Sequence, residues 1–79
     1  MQQVLITVGN EYLPNVIEEF ITRVDMSDFE EAAMAVEECC GRYIDMHEDA
    51  RHAICPDLDF EEYTEGIFFM VEEVNENEL

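Results

Sequence analysis

Lysine is absent from this 79-residue chain, and so is tryptophan. Three arginines stand against 21 acidic residues, for a formal net charge of −18. So few cations leave almost nothing to neutralise phosphates, which argues against direct binding to nucleic acid. Anionic membrane surfaces would repel the chain for the same reason. Cysteine is scarce and odd in number: three residues, with Cys39 and Cys40 adjacent, make a poor disulfide framework. Three glycines and two prolines provide no glycine-rich phosphate loop and no flexible linker. No apolar run approaches the roughly 20 residues needed to span a bilayer. The first residues, MQQVLITVGNEYL, lack the basic start and long apolar stretch of a secretory signal. These absences point to a protein of the reducing cytoplasm.

What is present is apolar content of 48%, ordinary for a globular protein and too high for a disordered acidic tail. The length corresponds to one domain, residues 1–79. A body this small buries only about 60% of its unfolded surface, so a homodimer would help it and would also double its field. The charge works against compaction through self-repulsion. The acids gather in six adjacent doublets: Glu18-Glu19, Glu30-Glu31, Glu37-Glu38, Glu48-Asp49, Glu61-Glu62 and Glu72-Glu73.

The spacing of apolar residues predicts a mainly α, small helical bundle. Residues 3–8 are β-branched and end at Gly9-Asn10, as a short strand would. After Leu13-Pro14-Asn15, Val16, Ile17, Phe20, Ile21 and Val24 recur at helical spacing, giving a helix over about 15–24. Ser27-Asp28-Phe29-Glu30 reads as a capping box. From Phe29 an apolar seam runs through Ala33, Val36, Cys40, Tyr43, His47, Ala50 and Ile54, predicting one helix over 28–54, with a kink or two shorter helices at the weak point Gly41 as the alternative. A second capping box at Asp59-Phe60-Glu61-Glu62 opens a helix over about 59–75, which leaves Phe69 as an exposed aromatic. The alternative is an α+β fold in which residues 67–74 form a strand paired with 3–8.

No constellation carries catalysis, and the chain is expected not to be an enzyme. His47 and His52 lie five apart, about 140° around a helix, and cannot share a metal as a pair four apart would. Cys39, Cys40, His52 and Cys55 are zinc-ligand types without a Cys-x-x-Cys pair, so structural thiols are expected. Asp57, Asp59 and Glu61 hint at a calcium loop, but Glu62 and Phe68 occupy the positions that need glycine and a bidentate acid. No cofactor or metal is expected.

The acids themselves remain. On the predicted long helix Asp28, Glu30, Glu31, Glu37, Glu38, Asp45, Glu48 and Asp49 avoid the seam. They span about 33 Å at 1.5 Å per residue, roughly one charge per 4 Å, against one per about 3.4 Å in a DNA strand. A second row comprises Glu61, Glu62, Glu65, Glu72, Glu73 and Glu76. Ordinary solvated helix faces mix signs through Glu–Lys pairs, which a chain without lysine cannot form. The expectation is a DNA-mimic inhibitor that occupies the basic groove of a nucleic-acid-binding protein. Such a protein would suit a phage or mobile element acting against a host nuclease, restriction enzyme or CRISPR complex. The competing expectation is an acidic helical adaptor or immunity-type interaction domain, anchored by Phe69, Phe68 or Tyr12 with charge at its rim.

Overall fold

The computed structural model describes residues 2–74. It overturns the helical bundle: the fold is α+β, built on a three-stranded antiparallel sheet. In chain order the elements are β1 (Gln2–Asn10), β2 (Leu13–Val24), α1 (Phe29–Met46), α2 (Glu48–Ile54), α3 (Phe60–Glu65) and β3 (Ile67–Glu73). The sheet order is β2-β1-β3, so the first strand lies in the middle. Among the described residues no helix is long and apolar enough to cross a membrane.

The segment expected as a helix over 15–24 is strand β2. Its apolar residues come in pairs four apart, Val16-Ile17 and Phe20-Ile21. A spacing of four marks one face of a helix, but it also keeps to one face of a strand, whose period is two. The chain resolves the ambiguity through β-branched content and a paired partner. The register sets Val4 opposite Thr22, Ile6 opposite Phe20 and Val8 opposite Glu18, so Val16, Phe20 and Val24 share the face of Val4, Ile6 and Val8. Ile17 and Ile21 lie on the other face with Leu5.

The hairpin turns at Glu11-Tyr12, and Leu13-Pro14-Asn15 continues the chain as strand rather than capping a helix. Asn10 organises this turn while 1% exposed. Its Oδ1 accepts the Tyr12 N–H at 2.8 Å, and its Nδ2 donates to the Tyr63 carbonyl at 2.9 Å. Glu11 N–H donates to the Gly66 carbonyl at 3.0 Å, tying the turn to the end of α3. A Cβ on Gly66 would stand 2.7 Å from the Tyr12 ring, so this close approach requires glycine.

The expected helix over 28–54 is two helices that meet at His47, whereas α1 runs through Gly41 without interruption. Its cap is Asp28, not Ser27: the Asp28 carboxylate accepts the N–H groups of Glu30 and Glu31, while Ser27 donates to Asp25. The buried stripe is also rotated from the predicted seam. Cys39 and Tyr43 are buried, with Ala32, Ala35, Val36 and Cys40 packed against the core, whereas Phe29 is 84% exposed and Ile54 is exposed. The expected helix over 59–75 ends at Glu65, and Asp59 caps it without a side-chain bond. Ile67-Phe68-Phe69-Met70-Val71 then pairs with β1, as in the α+β alternative. A short aromatic and β-branched run behind a glycine suits a strand better than a helix. Residue 75 and the predicted Glu76 lie outside the described residues.

The core lies between one face of the sheet and α1: Val4, Ile6, Val8, Val24, Cys39 and Tyr43, all 5% exposed or less. Each buried aliphatic side chain stabilises the fold by about 1.5–3 kcal/mol. The thinnest dimension is 16 Å, room for one sheet and one helix layer. The second face of the sheet therefore has no layer over it among the described residues.

Candidate functional site

The site begins with α1, because the residues it buries decide which carboxylates it presents. With Tyr43 and Cys39 turned inward, the 100° step per residue puts Glu30, Glu37 and Asp45 along the outward crest. Glu31 and Glu38 fall on the flank above β2, where they line a cleft with Thr22, Arg23 and Met34. These five acids span about 22 Å, a looser array than an unbroken helix over 28–54 would give. A cation also enters the row: Arg42 Nη2 donates to Glu38 Oε1 at 3.0 Å, one turn along. Asp28 belongs to the array only through its position, since its carboxylate caps the helix. Glu48 and Asp49 open α2 beyond the break at His47, and His52 Nε2 lies 3.7 Å from Glu48 Oε1.

The second predicted row does not form a row. Glu61, Glu62 and Glu65 are exposed on α3, but Glu72 and Glu73 are consecutive strand residues and point to opposite faces of the sheet. The α3 acids instead gather toward the hairpin turn. Burial, followed by the fields of Glu11, Glu62 and Glu65, pushes the Tyr12 hydroxyl above its usual range. The molecule thus carries two acidic regions, one along α1 and one around Tyr12.

Phe69 is exposed as expected, though on a strand rather than a helix. It faces α1 and shares an apolar groove with Phe29, Ala32, Ala33 and Val36, rimmed by Glu37. Phe68 points the other way and lays its ring over Gly9, where a Cβ would come within 2.5 Å of Cζ. With Leu5, Ile17, Ile21 and Met70 it forms a patch on the uncovered face of the sheet, interleaved with Thr7, Glu19 and Glu72. Ile17, Ile21, Phe68 and Met70 are each half or more exposed. Assigning 15–24 and 67–74 to helices hid this patch; alternation within paired strands is the signal that finds it.

The remaining reactive side chains have structural surroundings. His47 Nε2 lies 2.9 Å from Glu18 Oε1, and its ring packs 4.8 Å from that of Tyr43. All three cysteines are free thiols; burial raises the Cys39 and Cys40 thiols above their usual pKa, and Cys55 Sγ donates to the Tyr12 carbonyl at 3.6 Å. Arg51 stands over the rings of Phe60 and Tyr63, at 5.5 and 5.4 Å. Asp57, Asp59 and Glu61 are exposed. Among the described residues no group of three or more metal-ligand side chains converges.

No protein-family model matches the chain, and no curated protein or solved structure matches it.

Proposed function

We propose that the protein is a nucleic-acid mimic that binds the basic groove of a nucleic-acid-binding protein and blocks it. The observation that carries this reading is the disposition of charge. Of the described acids, all but Glu18 and Glu31 are exposed. All three arginines are engaged, Arg42 on Glu38 and Arg51 on two rings among them. The carboxylates on α1 stand on a helix packed against the sheet, so the backbone that carries them is already ordered before binding. Glu30, Glu31, Glu37, Glu38 and Asp45 are the residues assigned to the contact, with Glu61, Glu62 and Glu65 as a second cluster. The reading requires no catalytic group and no cofactor, and it assumes the reducing cytoplasm in which three free thiols persist.

Competition tests it directly. At low salt the protein should displace labelled duplex DNA from non-specific DNA-binding proteins, and the effect should vanish by about 0.5 M salt as screening shortens to a few ångströms. Charge reversal at Glu30, Glu37 and Asp45 should raise the concentration needed by at least tenfold. Displacement that persists at high salt, or that ignores the reversals, would sink the proposal.

A second reading is favoured by one observation, the apolar patch of Leu5, Ile17, Ile21, Phe68 and Met70. Five apolar side chains on one uncovered sheet face, four of them half or more exposed and interleaved with Thr7, Glu19 and Glu72, suit a protein-interaction surface. Under this reading the protein is an acidic interaction domain, and association would be weakened by Ile21→Lys and little affected by salt.

A further inference from the structure

We infer that the free edge of β3, with the groove beside it, is a strand-addition site for an extended, basic, valine- or isoleucine-rich segment of a partner protein. The argument starts from the ladder. Val74 donates its N–H to the Gln3 carbonyl at 2.9 Å, in register with the β1–β3 pairing. Antiparallel ladders alternate, so Glu72, Met70 and Phe68 also bond to β1, while the backbone N–H and C=O of Phe69, Val71 and Glu73 point outward. No strand pairs with this edge among the described residues.

The two edges of the sheet are protected differently. The outer strand β2 carries Pro14, the Glu18-Glu19 doublet and Arg23, the charges and proline that discourage further pairing. On β3 the acidic doublet Glu72-Glu73 sits at one end, and Ile67 to Val71 is an apolar run without charge or proline. The outward backbone groups belong to the same residues whose side chains face α1. An added strand would therefore set alternate side chains into the groove of Phe29, Ala33, Val36 and Phe69. Main-chain bonds would supply affinity and the groove selectivity, the division of labour of strand addition.

Charge selects the occupant. Glu37 rims the groove, and Glu72 and Glu73 flank the end of the edge. A second copy would bring a further −18 against these carboxylates, whereas a basic segment is attracted to them. The inference stands whether or not the α1 carboxylates imitate a phosphate backbone, because it rests on the backbone edge of β3 and shares only Glu37 with that reading.

The test uses the full chain and two synthetic ten-residue peptides, one alternating lysine and valine, the other glutamate and valine. Amide chemical-shift mapping should show the lysine peptide perturbing residues 67–73 together with Phe29, Ala33 and Val36, and the glutamate peptide perturbing nothing. Phe69→Pro removes an outward N–H without touching the β1 ladder and should weaken the lysine peptide at least tenfold. Phe69→Val keeps that N–H and should weaken it less than threefold. Circular dichroism checks that both variants fold; if Phe69→Pro does not, the shift map with wild-type protein decides alone. Three results overturn the inference: shifts confined to the α1 carboxylate residues, equal affinity for both peptides, or shifts at residues 67–73 that appear on concentrating the protein alone, which would make a second copy the occupant.

Discussion

The two faces of the sheet are made from alternate residues of the same three strands, yet their fates differ. On one, Val4, Ile6 and Val8 are buried under α1. On the other, Ile17, Ile21, Phe68 and Met70 are as apolar and stand in solvent. The second face interleaves them with Gln3, Thr7, Glu19, Arg23 and Glu72, and no helix covers it. A protein of this size has one helix long enough to cover one face, so the apolar residues of the second face do not contribute comparably to the stability of the isolated chain. Retaining them there works against solubility unless something else meets them.

Substitutions can break or sharpen this contrast. The largest effect is expected at the covered face: Ile6→Ala should cost about 2–5 kcal/mol in denaturant unfolding, whereas Ile21→Ala, at a position 61% exposed, should cost less than about 1 kcal/mol. Equal costs would mean that the second face is covered in solution. Next comes alkaline pH. Tyr43, under the helix with its hydroxyl donating to the Val16 carbonyl at 2.7 Å, is pushed up to about 12 by burial, with Tyr63 and Glu18 adding to the rise. A hydroxyl that holds its proton more tightly in the folded state contributes fully below its unfolded value of about 10. That contribution is then lost as pH rises to 12, by roughly 2–3 kcal/mol. Tyr43→Phe should flatten unfolding free energy over that window; an unchanged slope would refute the assignment.

The covering helix itself supplies a smaller effect. Asp28→Ala should lower stability by about 1 kcal/mol, and Ser27→Ala by a few tenths, because Asp28 alone bonds the first-turn N–H groups. The reverse ranking would restore the capping box that the local sequence predicts. The smallest effect is expected at Tyr63, whose hydroxyl is buried without a hydrogen-bond partner among the described residues. Tyr63→Phe should be neutral or stabilising by up to about 1 kcal/mol, since it removes a buried polar group that makes no bond. A loss of stability in thermal unfolding would reveal a partner for that hydroxyl.

Part of this arrangement was legible in the residues. The strand at residues 3–8 and the apolar side of Val36, Cys40 and Tyr43 follow from pattern, whereas Phe69 is exposed on a strand and not on the helix from which its exposure was expected. The helical bundle did not survive, for a specific reason. Val16, Ile17, Phe20 and Ile21 fit one face of a helix and also keep to fixed faces of a strand, and β-branched content with the pairing to β1 distinguishes the two. The break at His47 was equally hidden: Gly41 is the weaker helix former, but it faces open space, whereas His47 ends α1 where its ring meets Glu18 on β2. The acids of the site were evident from composition. Their grouping was not, because whether Glu72 and Glu73 extend a row or split across a sheet depends on the secondary structure beneath them.

The position of β1 at the centre of the sheet has a consequence for the order of assembly. Its pairing with β2 is local, closed through the two-residue turn at Glu11-Tyr12. Its pairing with β3 joins Asn10 to Ile67 across the whole helical half of the chain. Closing that longer loop costs more entropy, about 0.6 kcal/mol for each doubling of length. The hairpin can therefore form early and wait with its middle strand half-paired, and completion of the sheet depends on the last strand finding the first.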